Sequence, residues 1–174
     1  HWIGSYVYFV QTYTSDLMVG NGVSMISRYA LCMCTSFKVV ISEEDLTKVM
    51  VVRGIVFCGE QGIAYTIERD EFEANSIHVL GEIEGEPVAA GRVRLLGSYA
   101  KFERIAVRLP YRGRGIGHEL TEFLVSVARK QGYTSYLVNA QAHLESLYGE
   151  LGFKATGEKF LEADIEHLQM IRDD

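Results

Sequence analysis

The chain is poor in cysteine and in basic charge, and it has no long apolar run. Its three cysteines, Cys32, Cys34 and Cys58, cannot pair completely, and the first two stand too close for a disulfide framework or a C-x-x-C metal knuckle. A reducing, cytoplasmic setting fits that usage. Lys and Arg number 17 against 23 Asp and Glu, a net charge of −6 with a pI near 5.4. A duplex nucleic-acid binder needs surplus cations to neutralise phosphates, so the balance argues against a nucleic-acid partner. No stretch of about 18 apolar residues could span a bilayer, and no basic segment leads into a short apolar one. Neither membrane anchor nor signal peptide is therefore expected. No cluster of His, Cys, Asp and Glu has metal-ligand spacing, and no metal is expected. Internal repeats and low-complexity tracts are also missing.

What is present suits one soluble domain. The 174 residues are 48% hydrophobic and 23% charged, enough for a core and too few for two ordinary domains. Residues 1–36 stand apart, with only Asp16 and Arg28 charged and a strand-like apolar run over residues 2–10. Three readings of this segment compete: an ordered β extension, a hydrophobic leader, or a piece foreign to the domain. As an ordered extension it could also make the protein a homodimer.

From residue 37 the periodicity is readable. Residues 37–41 form a short strand. Ser42, with Asp45 three residues on, caps a helix running from Glu43 to about Cys58, with Leu46, Val49, Met50, Ile55 and Val56 inward. Residues 61–72 are polar and irregular. Strands follow over 76–83 and 88–96, joined by Glu84-Gly85-Glu86-Pro87, and another covers 101–107 before Pro110. A helix over 115–131 turns Leu120, Phe123, Leu124, Val127 and Ala128 to one side, with Gly132 past its end. A strand at 135–139, a short helix at 142–151 and strand-like residues from 153 onward complete a mixed α/β sheet.

The most informative stretch is Arg104-Ile105-Ala106-Val107-Arg108-Leu109-Pro110-Tyr111-Arg112-Gly113-Arg114-Gly115-Ile116-Gly117. A strand ends, a proline breaks it, and glycines open a helix whose first N–H groups converge on one point with a partial positive charge. Arg112 and Arg114 add to it, and the whole reads as a receptor for a pyrophosphate. A G-x-G-x-x-G dinucleotide loop would need glycine at position 118, where His118 stands, and no Lys-Ser/Thr pair makes a Walker loop. The plainer alternative is a turn that serves chain reversal alone.

Arg112-x-x-Gly115-x-Gly117 between strand and helix resembles the acetyl-CoA motif of the GNAT N-acetyltransferase superfamily. Tyr148-Gly149-Glu150-Leu151-Gly152-Phe153 is similar to that family's fourth-helix signature. Val56-Phe57, Glu60-Gln61-Gly62-Ile63 and Glu68-x-Asp70-Glu71 look like the first-helix region of a bacterial branch. Ile165-x-His167-Leu168-x-Met170 resembles the closing strand of glyphosate-acetyltransferase-type members. The resemblance covers roughly residues 37–172 and implies the GNAT fold, with central strands that splay apart over a domain of residues 37–174. It implies an N-acetyltransferase that moves an acetyl group from acetyl-CoA to a small-molecule or peptide amine. Carried over, Ile105, Ala106 and Val107 would bind pantetheine, Arg112, Gly113, Arg114, Gly115, Ile116 and Gly117 the pyrophosphate, and Asn139 would line the opposite wall. An N–H near Ala106 or Val107 would stabilise the tetrahedral oxygen, and Tyr148 would protonate the departing thiolate. The base is His167 or Glu103.

His143 reads as a surface residue, and His78 and His118 have no assigned partner. Glu60, Glu68, Asp70, Glu71 and Glu73 would form an acidic rim that attracts cationic amines, unless they are a solvated face. An anionic acceptor such as glyphosate fits poorly, because Glu103 and Gln141 stand where such members carry arginines. From another class comes a non-catalytic acyl-CoA sensor on the same fold.

Overall fold

A computed structural model of the protein describes residues 34–174. The strand expected over residues 2–10, and the roles weighed for the leading segment, lie outside the described residues.

Ser36–Val39 forms β1 and Glu43–Arg53 forms α1, whose start is fixed as expected: the Asp45 N–H donates to Ser42 Oγ at 3.1 Å. The helix then widens into a seven-residue π-helical segment, Gly54–Glu60, instead of stopping near Cys58. Val49, Val52, Arg53 and Val56 are the buried positions, while Ile55 is 38% exposed, which corrects its inward placement. The i, i+3, i+4, i+7 stripe begins at Val49, and Ile55 falls on its far side. Within residues 61–72, read as irregular, a short helix α2 spans Tyr65–Glu68.

Strands β2 (Ile77–Ile83) and β3 (Glu86–Leu96) meet in a two-residue turn, with Glu84 at φ 51° and Gly85 at φ 83°. That pair of positive φ angles matches the twist of a hairpin, so Glu86 and Pro87 belong to the strand and not to the turn. Next come β4 (Tyr99–Val107), α3 (Ile116–Lys130), β5 (Ser135–Gln141), α4 (Glu145–Glu150), β6 (Lys154–Ala155), β7 (Phe160–Glu162) and β8 (Ile165–Asp173). The sheet order is β1-β2-β3-β4-β5-β8-β6, with β7 also on β8, and all pairs are antiparallel except β4 with β5.

The sheet is covered on both faces. On one, α3 buries Ile116, Leu120, Leu124, Val125, Val127 and Ala128 against the strands. Gly91 admits this helix, since a Cβ there would stand 3.1 Å from Leu124 Cδ1. On the other face Val49, Val52 and Val56 meet Leu80, Ala90 and Ala106. Each buried valine or leucine here contributes on the order of 1.5–3 kcal/mol by leaving water.

A buried ionic network fills the space beside α1. Arg53, 0% exposed, bonds Glu68 and reaches Glu73 at 2.7 and 2.9 Å. Arg92, 1% exposed, reaches Asp70 at 2.7 Å, Glu73 at 2.8 Å and Glu103 at 2.6 Å. Burial opposes the charge of Arg92, but its bonds to Asp70 and Glu103 outweigh that and raise its pKa. The same bond from Arg92 holds the Asp70 carboxyl down at about 2. Expected acidic-rim members Glu68, Asp70 and Glu73 are thus consumed as counter-ions. Nothing in their spacing reveals that arginines face them from α1 and β3.

Because the folded pKa of Asp70 lies below its ordinary 3.8, its contribution is present above that range and is lost as pH falls toward 2. The shift corresponds to about 2 kcal/mol. Urea unfolding at pH 6 and pH 3 should show stability falling with acid. Asp70→Asn should be less stable at pH 6 and lose less between the two; an equal loss in both proteins would contradict the assignment.

Candidate active site

The central feature is a break in the ladder between β4 and β5. These strands pair only over Ala100–Phe102 with Tyr136–Val138. Beyond Phe102, β4 carries a bulge: Arg92 opposes Glu103 and Ala90 opposes Ala106, so Arg104 and Ile105 together face one residue of β3. Arg104 adopts φ 53°, a conformation an L side chain rarely takes. It is held there by its own guanidinium, which donates to the carbonyls of Glu68 (3.0 Å) and Ile67 (3.2 Å) and to Asp70 (3.2 Å).

The N–H of Arg108 bonds the carbonyl of Val88 at 3.0 Å, on the β3 side. Alternation along the strand turns the backbone of Val107 the other way, into the gap. Its carbonyl there accepts from Arg112 Nε at 2.7 Å. Of the two backbone donors expected from the sequence, Ala106 and Val107, the register therefore favours Val107.

The gap opens into a cavity of about 560 Å³. One end is the glycine loop. Gly113 (φ 74°) and Gly115 (φ 83°) take left-handed conformations, and Gly115 caps α3 with no side-chain hydrogen bond. Arg112, Gly113, Gly115, Ile116 and Gly117 of the loop line the cavity, as do Ile105, Ala106 and Val107 along β4 and Asn139 on β5. Arg114 does not: its guanidinium bonds the Pro110 carbonyl at 3.1 Å and sits 5.7 Å from the Tyr111 ring centroid. Arg112 is engaged with Glu60 of the π-helical segment, so this carboxylate too is paired.

Tyr148 on α4, 4% exposed, lines the cavity against Phe153, and burial pushes its phenol well above the ordinary tyrosine range. Desolvation penalises the phenolate, so the proton is retained. His167 on β8 lines the same cavity. Its Nδ1 lies 2.8 Å from the carbonyl of Ile165 and must carry a hydrogen, so in the neutral ring Nε2 is the acceptor. Glu103 also reaches the cavity, but it is bonded to Arg92, Lys101 (2.9 Å) and Arg94 (3.4 Å). Burial would raise its pKa, yet Lys101 and Arg92 outweigh this and hold it low, which makes it a weak proton acceptor.

Several lining residues carry no sequence-derived role. Phe57, Gln61 and Ile63 arrive through the π-helical segment and the turn after it, whose wide register shows in the Gln61 N–H bond to the Val56 carbonyl at 3.1 Å. Gln61 and Gln141 exchange reciprocal amide hydrogen bonds of 3.4 and 3.2 Å between the two sides of the cavity. Arg104, Glu162 and Ile165 are further members, and His118 and His143 also border the space. The motif around Gln61 was visible in the sequence. The bulge at Arg104 and the reach of Glu162 had no local signal.

Residues 57–173 match the acetyltransferase (GNAT) domain family. The chain is 37% identical over 133 residues to the N-acetyltransferase YjcF of Bacillus subtilis (strain 168), itself uncharacterized, covering 76% of this chain and 95% of that one. An acyl-CoA N-acyltransferase from Pseudomonas aeruginosa superposes with a TM-score of 0.71 at 28% identity, covering 80% of this chain and 98% of that one. A GNAT acetyltransferase from Elizabethkingia anophelis, solved with acetyl-CoA bound, shares the fold with a TM-score of 0.58 at 12% identity, over 80% and 97% of the two chains. With the parted strands, the glycine loop and these matches in agreement, the chain belongs to the GNAT acetyltransferase family.

Proposed function

We propose that the protein is an acetyl-CoA-dependent N-acetyltransferase that acetylates an amine of a small molecule or peptide, with both substrates held in one cavity. The observation that carries this reading is the gap between β4 and β5, which joins the glycine loop to the wall bearing Tyr148 and His167.

The residues present fit the cofactor. A Cβ on Gly117 would lie 3.8 Å from Leu147 and 4.0 Å from Val107, so glycine keeps this corner open. The loop N–H groups from Gly113 to Gly117 would hold the pyrophosphate, and the backbone of Ile105–Val107 and the side of Asn139 would flank the pantetheine arm. When bound, acetyl-CoA supplies an acetyl group activated as a thioester.

The chain's own groups would then act as follows. The Val107 N–H faces the gap and is placed to stabilise the acetyl oxygen as charge gathers on it, an effect worth roughly 3 kcal/mol for one such donor. His167 Nε2 accepts the proton of the acceptor amine. The resemblance read in Ile165-x-His167-Leu168-x-Met170 is the sequence's argument for that role, and the ion-paired state of Glu103 supports His167 over Glu103. Tyr148 donates its proton to the departing sulfur. The burial that raises its pKa would raise that of a thiol in the same place, so the two stay matched.

Thiol release from acetyl-CoA with a panel of amines tests the reading directly. Turnover with at least one amine is expected; CoA binding without turnover on any would favour the sensor instead. Tyr148→Phe should lower turnover by about 10²-fold or more while leaving CoA affinity nearly intact by calorimetry. A fully active variant would remove Tyr148 as the acid. Gly117→Glu should abolish CoA binding by setting a side chain and a negative charge in the loop, and retained binding would move the diphosphate site elsewhere.

A further inference from the structure

We propose that Glu162 selects an acceptor that carries a second, protonated amine, so that the substrates are short aliphatic diamines or amines of like chemistry. This rests on the N-acetyltransferase reading and names its substrate class.

Three carboxylates line the cavity: Glu68, Glu103 and Glu162. Glu68 is paired with Arg53, and Glu103 with Arg92, Arg94 and Lys101. Among the described residues Glu162 has no basic partner. Its one polar contact is the amide of Asn139, whose Nδ2 lies 3.5 Å from Glu162 Oε2. The same amide leaves its Oδ1 buried without a hydrogen-bond partner. Glu162 is exposed to solvent where it lines the cavity, so water solvates it in the free protein, and an alkylammonium with three donors would replace that water.

The backbone brings Glu162 over the cavity. It ends β7, opposite Ile165, and the turn that follows places Ala163 at φ 49° and Asp164 at φ 60°. Asn139 pairs with Gln169, four residues along β8 from Ile165. Strands β7 and β5 flank β8 on opposite sides, so a flat sheet would separate the two by roughly 16 Å, and the 3.5 Å side-chain contact requires the hairpin tip to curl across the sheet. Phe160 and Glu162 share a face with their partners His167 and Ile165, and Phe160 stacks on the His167 ring.

Glu162 and His167 are diagonal neighbours on that face, roughly 7–8 Å apart at their Cα atoms. The reacting nitrogen must give up its proton to attack, and a carboxylate beside it would hold that proton on. A carboxylate one diamine length away instead favours a cation that remains charged throughout. The basic side chains that line this space, Lys101, Arg104 and Arg112, are already bonded to Glu103, to Asp70 and to Glu60.

The test compares kcat/KM for 1,5-diaminopentane, pentylamine and 5-aminopentanoate, with calorimetry of diamine binding to the CoA-loaded protein. The wild type should prefer the diamine. In Glu162→Gln the diamine-to-pentylamine ratio should fall by about tenfold to a hundredfold and diamine affinity should weaken, while Glu162→Asp restores part of both. A ratio that does not move in Glu162→Gln, or a wild-type preference for 5-aminopentanoate, overturns this assignment and leaves the acetyltransferase reading standing. Failure to acetylate any amine overturns that reading and this inference together.

Discussion

Two parallel strands at the centre of a sheet ordinarily stay bonded along their shared length, and here they do not. The bulge at Arg104 and Ile105 turns the end of β4 away from β5, and nearly everything of functional interest follows from that separation. It exposes an edge of β4 backbone to a ligand, opens the cavity, and lets the glycine loop and the Tyr148 wall face one space. A continuous ladder would have sealed the same residues into an apolar core.

Such a backbone needs outside support, because a non-glycine residue at φ 53° is strained and a parted ladder leaves polar groups unpaired. The ionic network supplies it. Arg104 is fastened to the carbonyls of Ile67 and Glu68 and to Asp70, which is bonded to Arg92, which in turn reaches Glu103 just ahead of the bulge. The bulge residue Arg104 and Glu103 just before it are tied into one set of charges. Removing one partner from such a set leaves a buried charge uncompensated, a loss typically of about 3–5 kcal/mol.

How much of this was legible depended on how local the signal was. The Ser42 cap, the Leu120–Leu124–Ala128 stripe and the glycine loop are written in residues a few positions apart, and the structure follows them. The ordered resemblance of motifs carried the fold and the splayed strands. Ile55 was misplaced because the stripe on α1 depends on which side meets the sheet, and Pro87 because the two positive-φ residues before it complete the turn. The larger gap concerned charge. Glu68, Asp70 and Glu73 read as a rim in the sequence, but their arginine partners lie 15 to 36 residues away and come from other elements. Arg114 looked equivalent to Arg112 in the loop, yet the turn at Gly113 sends the two side chains to different places. Glu162 lay in a stretch whose strand pattern gives no hint that its tip bends over the sheet.

The paired amides of Gln61 and Gln141 carry a consequence for how the two sides of the cavity stay joined. Each partner offers one donor and one acceptor, and neither bears a charge, so parting them frees two N–H and two C=O groups that water satisfies at almost no electrostatic penalty. A clasp made of lysine and glutamate would loosen with added salt or with acid. The Gln61–Gln141 pair holds no charge for salt to screen or acid to titrate, so this link across the cavity persists unchanged over the ionic conditions that would undo an ion pair.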